Sequence, residues 1–60
     1  MITTKQADRL IKSGEVVKIR EINYPDSGIF SVRIICRDRW TVTLSDSAKI
    51  SRDELEIINL

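Results

Sequence analysis

Few side chains in this sequence are equipped for covalent or metal chemistry. Cys36 is the only thiol and histidine is absent, which removes the commonest general base and the commonest metal ligand. A nucleophilic Cys36 or serine would need an activating base, and the composition supplies no histidine for that role. One cysteine also excludes an internal disulfide and a multi-cysteine zinc site. Asp53 and Glu54 are adjacent carboxylates. On a turn or strand, neighbouring side chains diverge, so the pair suits the capping of a helical turn better than shared acid–base work. Ser45-Asp46-Ser47 is too sparse an oxygen set to hold a cation. No glycine-rich phosphate loop is present. A non-enzymatic chain without cofactor or metal is the expectation.

The remaining chemistry is recognition by basic and apolar surface. Arg37-Asp38-Arg39-Trp40 joins two guanidinium groups to an indole, a combination that can grip phosphates and stack on bases of single-stranded nucleic acid. Lys18, Arg20 and Arg33 add positive charge upstream, and Ile22, Tyr24 and Ile29 form an apolar group near them. Residues 1–45 hold eight basic and five acidic side chains, whereas residues 46–60 hold two and four. The total of +1 is far from the strongly basic balance of a dedicated DNA-binding domain.

These residues must be positioned by a single small domain spanning residues 1–60, a size close to the lower limit for unaided folding. Ile, Leu and Val make up 18 residues, too many for a disordered chain. No apolar run approaches the roughly 18 residues needed to cross a bilayer, and residues 1–5 lack a secretory-signal pattern. Together with an unpaired cysteine this predicts a cytoplasmic protein with no membrane contact. A small bacterial or phage open reading frame is the general class it suggests.

The spacing predicts a helix over about residues 4–13. Thr3 and Gln6 stand at capping-box separation, Ala7, Leu10 and Ile11 form one apolar stripe, and Gly14 can take the left-handed cap. About ten residues do not make a stable isolated helix, so the stripe must pack on a sheet. Strands are predicted over residues 15–24, 29–36 and 40–44, with a turn at Pro25-Asp26-Ser27-Gly28 and a polar loop over 45–49. Ser51 and Glu54 again have capping-box spacing, and one helical turn followed by a short closing strand is the preferred reading of the C-terminal segment.

A four-residue first turn sets Tyr24 opposite Ile29, Ile19 opposite Ile34 and Val17 opposite Cys36. A three-residue second turn, Arg37-Asp38-Arg39, sets Cys36 opposite Trp40 and Ile34 opposite Val42. Cross-strand partners share a face. The predicted core face is therefore Val17, Ile19, Phe30, Val32, Ile34, Cys36, Trp40, Val42 and Leu44. The other face carries Lys18, Arg20, Ile22, Tyr24, Ile29, Ser31, Arg33, Ile35 and Arg37, with Arg20 directly opposite Arg33. An anion between those two guanidinium groups would turn their repulsion into a bidentate site. The competing reading leaves both in water beside Glu21 or an acid from elsewhere.

A short helix followed by a strongly bent antiparallel sheet of three to five strands is an α+β fold. Over roughly residues 15–59 it resembles a small SH3-like barrel, and the resemblance is architectural. The alternative is an open α-β-β-β layer. The resemblance implies a binding module without naming a partner. A protein-binding, inhibitory or regulatory module acting through its sheet surface is the leading expectation. Nucleic-acid binding through Lys18, Arg20, Arg33, Arg37 and Arg39 is the alternative, and homodimerisation through the Tyr24 patch or a free strand edge is compatible with both.

Overall fold

The computed structural model describes residues 1–58. Its first element is helix α1, Thr4–Ser13. The Thr3 hydroxyl accepts the Gln6 amide at 3.1 Å while the Gln6 side chain accepts the Thr3 amide at 3.0 Å, so the expected capping box is formed. Gly14 closes the helix in the left-handed conformation, φ 67°, and donates its N–H to the Leu10 carbonyl at 3.0 Å. Ala7 and Leu10 are buried on the inward stripe, with Ile11 partly buried beside them and Ile2 fully buried just before the cap.

Among the described residues six short strands follow: β1 Val17–Glu21, β2 Ile29–Val32, β3 Ile34–Arg37, β4 Thr41–Leu44, β5 Lys49–Ser51 and β6 Leu55–Ile58. They make two antiparallel three-stranded sheets, in the orders β2-β1-β6 and β3-β4-β5. Neither sheet closes on itself. Helix α1 lies against β3. The core between these layers is Ile2, Ala7 and Leu10 from the N-terminal segment, with Ile19, Val32, Ile34, Val42, Leu44 and Leu55 from the strands. A 3₁₀ turn, Arg52–Glu54, precedes β6 as the closing strand. That agrees with the expected helical turn and strand, although Ser51 makes no side-chain cap.

The predicted strand over residues 29–36 is divided at Arg33, where the chain passes from one sheet to the other. Ser45 fixes the corner: its N–H donates to the Arg33 carbonyl at 2.9 Å and its hydroxyl accepts the Arg33 N–H at 3.3 Å. Among the described residues, six strands in two open sheets thus stand where one strongly bent sheet of three to five strands, or alternatively an open α-β-β-β layer, was expected.

The first hairpin pairs Ile19 with Phe30 and Arg20 with Ile29, four positions from the expected register. The cause is a longer connection. Beyond Glu21 the Ile22 N–H leaves for the Glu54 carbonyl, and a 3₁₀ turn at Pro25–Ser27, ended by Gly28 at φ 91°, occupies the rest. A shift by an even number of residues conserves the faces. Ile19 and Val32 therefore still point inward, while Lys18 and Arg20 share the outer face with Ile29 and Ser31.

The second hairpin breaks the pattern. Ile34 pairs with Leu44, but Cys36 pairs with Thr43, so Ile35 is an extra residue in a β-bulge. One inserted residue reverses every side chain beyond it. Cys36, expected in the core, is exposed, and Arg37 takes the position opposite buried Val42. The turn is also one residue later, at Asp38-Arg39-Trp40, because the Asp38 carboxylate accepts the amides of Trp40 and Thr41 at 2.9 and 2.8 Å. Trp40 therefore leaves the ladder and is 67% exposed, against the expectation of a core residue. Phe30 keeps its inward register and is still 44% exposed. The predicted polar loop after β4 is a tight hairpin. Ser47 donates to the Leu44 carbonyl at 2.9 Å and adopts φ 71°, and β5 begins two residues later.

Candidate binding surfaces

The expected basic face divides among separate structural tasks. Arg20 is not opposite Arg33: the register sets it between Ile29 on β2 and Glu56 on β6. Its Nε and Nη2 both donate to Glu56 Oε1, at 2.8 and 2.5 Å. An acid brought in from the last strand therefore satisfies this guanidinium, and the proposed two-arginine anion site is not assembled. Arg33 sits at the inter-sheet corner, where its backbone is engaged by Ser45 and its side chain is exposed.

Arg37 is a clasp between the sheet and the helix. Its Nε and Nη2 donate to the two oxygens of Asp8 at 2.6 and 3.0 Å, a fork-to-fork ion pair linking β3 to α1. Those hydrogen bonds hold the Asp8 carboxyl below the usual aspartate range and raise the Arg37 guanidinium further. Asp38 is held well below its ordinary pKa mainly by the Thr41 and Trp40 amides, with Lys49 Nζ 3.5 Å away assisting. Its work is to build the turn.

Lys18 and Arg39, by contrast, are exposed and form no ion pair among the described residues. Lys18 lies on the outer face between Ser31 and Ile58. Arg39 occupies the β3–β4 turn beside Trp40. Ile22, Tyr24 and Ile29 are all exposed at the β1–β2 end, Tyr24 to 68%. Among the described residues no three thiol or carboxylate side chains gather as metal ligands. Asp46, considered above with its flanking serines, accepts the Ala48 N–H at 3.0 Å and so serves its own hairpin.

Arg52 was not singled out by the sequence, yet it joins three parts of the chain. Nη1 donates to the Ile2 carbonyl at 2.8 Å, and Nη2 to the Arg39 carbonyl at 2.8 Å. Its backbone N–H donates to Trp40 and its backbone carbonyl accepts from Ile2. Arg52 thereby ties the N-terminal segment, the β3–β4 turn and the 3₁₀ turn together. Nothing in its local sequence signals this, because both side-chain acceptors are main-chain carbonyls far away in the chain.

The structure also creates an apolar groove. Ile19, Phe30, Val32, Leu44, Ala48 and Ile50 line a space of about 150 Å³ between the β1–β2 hairpin and the β4–β5 hairpin, with Glu21 and Asp46 beside it. A second, larger hollow lies between the end of α1 and strands β1 and β6, and is lined by both charged and apolar residues. Among the described residues no helix is long and apolar enough to cross a membrane. Comparison with known proteins finds no matching family model, no matching curated protein and no matching solved structure.

Proposed function

We propose that this chain is a small non-enzymatic binding module that engages a protein partner through its sheet surfaces, in an inhibitory or regulatory role. The observation that carries this reading is the placement of the aromatic residues. Tyr24, Phe30 and Trp40 are the only aromatics, and all three are exposed while a nine-residue aliphatic core forms without them. Aromatic side chains bring the largest burial gain of any residue type, and a chain this small has little core to spare. Their exposure costs stability that a partner surface would return, and interface centres are enriched in such residues.

The fold supports the same reading. Followed through the bend at Arg33, the strand order is β6-β1-β2/β3-β4-β5, with a 3₁₀ turn before the last strand. This order resembles the strongly bent sheet of a small SH3-like barrel, an architecture that serves binding more than catalysis.

Exposure of Trp40 beside Arg39 favours a second reading, contact with single-stranded nucleic acid. Pairing of Arg20 with Glu56 and of Arg37 with Asp8 weighs against it, because two of the five cations assigned to phosphate are already neutralised. The test compares the chain with a Tyr24→Ala, Trp40→Ala double variant as baits in an extract of the source organism. A protein retained in stoichiometric amount by the first, lost by the second and unaffected by nuclease supports the module. Retention only of nuclease-sensitive material would replace it with the nucleic-acid reading.

A further inference from the structure

The groove between the two hairpins is a part of the core left unfilled. Phe30 stands directly opposite Ile19 on the inward face of the first sheet. Ile19 is 2% exposed and Phe30 44%, so burial fails at one end of a single cross-strand pair. The β4–β5 hairpin reaches this end with Leu44, Ala48 and Ile50, and the small Ala48 leaves the gap of about 150 Å³. An apolar space of that size accommodates a benzene-sized group. Its lining is aliphatic and aromatic, as a site for one large apolar side chain requires.

Charge narrows the choice of occupant. The two ionisable residues at the groove are both acidic, Glu21 from β1 and Asp46 from the hairpin tip. Neither has an ion-pair partner among the described residues, and Glu21 is half-buried. The chain as a whole carries +1, so this is a local reversal of sign. An occupant that inserts an apolar group and brings positive charge alongside it satisfies both features. In an extended segment, residues two apart point to the same side.

We infer that the groove receives an extended segment of a partner protein, in which one large aliphatic or phenyl side chain enters beside Phe30 and a Lys or Arg two residues away meets Glu21 or Asp46. The inference rests on the reading of the chain as a protein-binding module and assigns that module a ligand pattern.

The probe is a seven-residue peptide with central Leu, Lys two residues to each side, and Ser or Gly elsewhere, titrated to millimolar concentration against the isotopically labelled chain. The expected result is amide shifts concentrated at Glu21, Phe30, Asp46 and Ala48. Replacing the central Leu by Ser weakens binding by about ten- to a hundredfold, the loss of one buried Leu side chain. Ala48→Leu fills the gap and abolishes the shifts while leaving a dispersed spectrum. Glu21→Gln with Asp46→Asn keeps the hairpin acceptor and removes the preference for Lys over Glu in the peptide. No shift at millimolar peptide, or shifts centred on Tyr24 and Trp40 that survive Ala48→Leu, would overturn the assignment. Shifts at the same residues on dilution of the chain alone would assign the groove to a second copy and equally overturn it. The extract experiment decides the module reading separately, so either can fail without the other.

Discussion

Arg52→Ala removes a side chain that the fold uses as a three-way tie. The Nη1 bond to the Ile2 carbonyl is part-buried, whereas the bonds to the Arg39 carbonyl are exposed at 2.8 and 3.3 Å. Hydrogen bonds from charged groups contribute about 1.5–3 kcal/mol each, and an exposed bond recovers much of its energy from water. Counting the Ile2 bond in full and the Arg39 bonds at a fraction gives a loss of about 2–3 kcal/mol. A chain of this length has a total stability of about 3–9 kcal/mol, so the variant loses about a fifth or more of it. The corresponding drop in Tm is roughly 10–20 °C, at about 4–8 °C per kcal/mol for a domain of this size. Arg52→Lys falls between the two, because an ammonium cannot span both carbonyls as the guanidinium fork does. Far-UV circular dichroism with urea and thermal unfolding provides the assay. A loss below about 0.5 kcal/mol for Arg52→Ala would refute the argument, since an ordinary surface substitution does no more.

Ser47 holds φ 71° without being glycine, and this conformation costs an L-residue about 1–2 kcal/mol; Ser47→Gly should therefore raise stability by about 0.5–1 kcal/mol after the added unfolded-state entropy, measured by urea midpoint. Asp8 and Asp38 have pKa values lowered in the folded chain, so the folded state binds protons less readily than the unfolded one. Their stabilisation is complete above the unfolded value near 4 and declines as pH falls below it. The Asp38→Asn variant should show a shallower loss of Tm as pH falls below about 4, because it lacks the carboxylate whose lowered pKa links folding to pH. The Arg20–Glu56 pair is more than a third exposed on both sides, so a double-mutant cycle with Arg20→Ala and Glu56→Ala should give a coupling below about 1 kcal/mol. Leu55 is completely buried, and Leu55→Ala, at about 2–5 kcal/mol, should leave the chain largely unfolded near 37 °C by circular dichroism.

How much of this was legible beforehand follows from the arithmetic of strands. Thr3, Gln6 and Gly14 define α1 through contacts within a few residues of each other, and the helix forms as its local pattern predicts. The β1–β2 register was displaced, but by an even step, so Ile19 and Val32 stayed in the core and Lys18 and Arg20 stayed outside. The bulge at Ile35 is a single-residue event with no propensity signal, and it carried Cys36 outward. Asp38 did offer a signal. An aspartate that accepts the amides two and three residues ahead begins a turn, and starting the loop there would have set Trp40 outside the strand. The partners of Arg20, Arg37 and Arg52 lie 36, 29 and 50 residues away. Such ties depend on tertiary placement, so one sequence could not divide the arginines into those tied within the fold and those left exposed. The groove likewise needs two hairpins to exist before it has walls.

This chain builds an aliphatic core and leaves its aromatic side chains exposed. Trp40 is the single tryptophan, so acrylamide quenching of its fluorescence, compared between the native chain at high dilution and the urea-unfolded chain, tests the claim directly. Nearly equal quenching in the two states is expected for an indole already 67% exposed. A native indole several-fold better shielded than the unfolded one would return Trp40 to the core and contradict it.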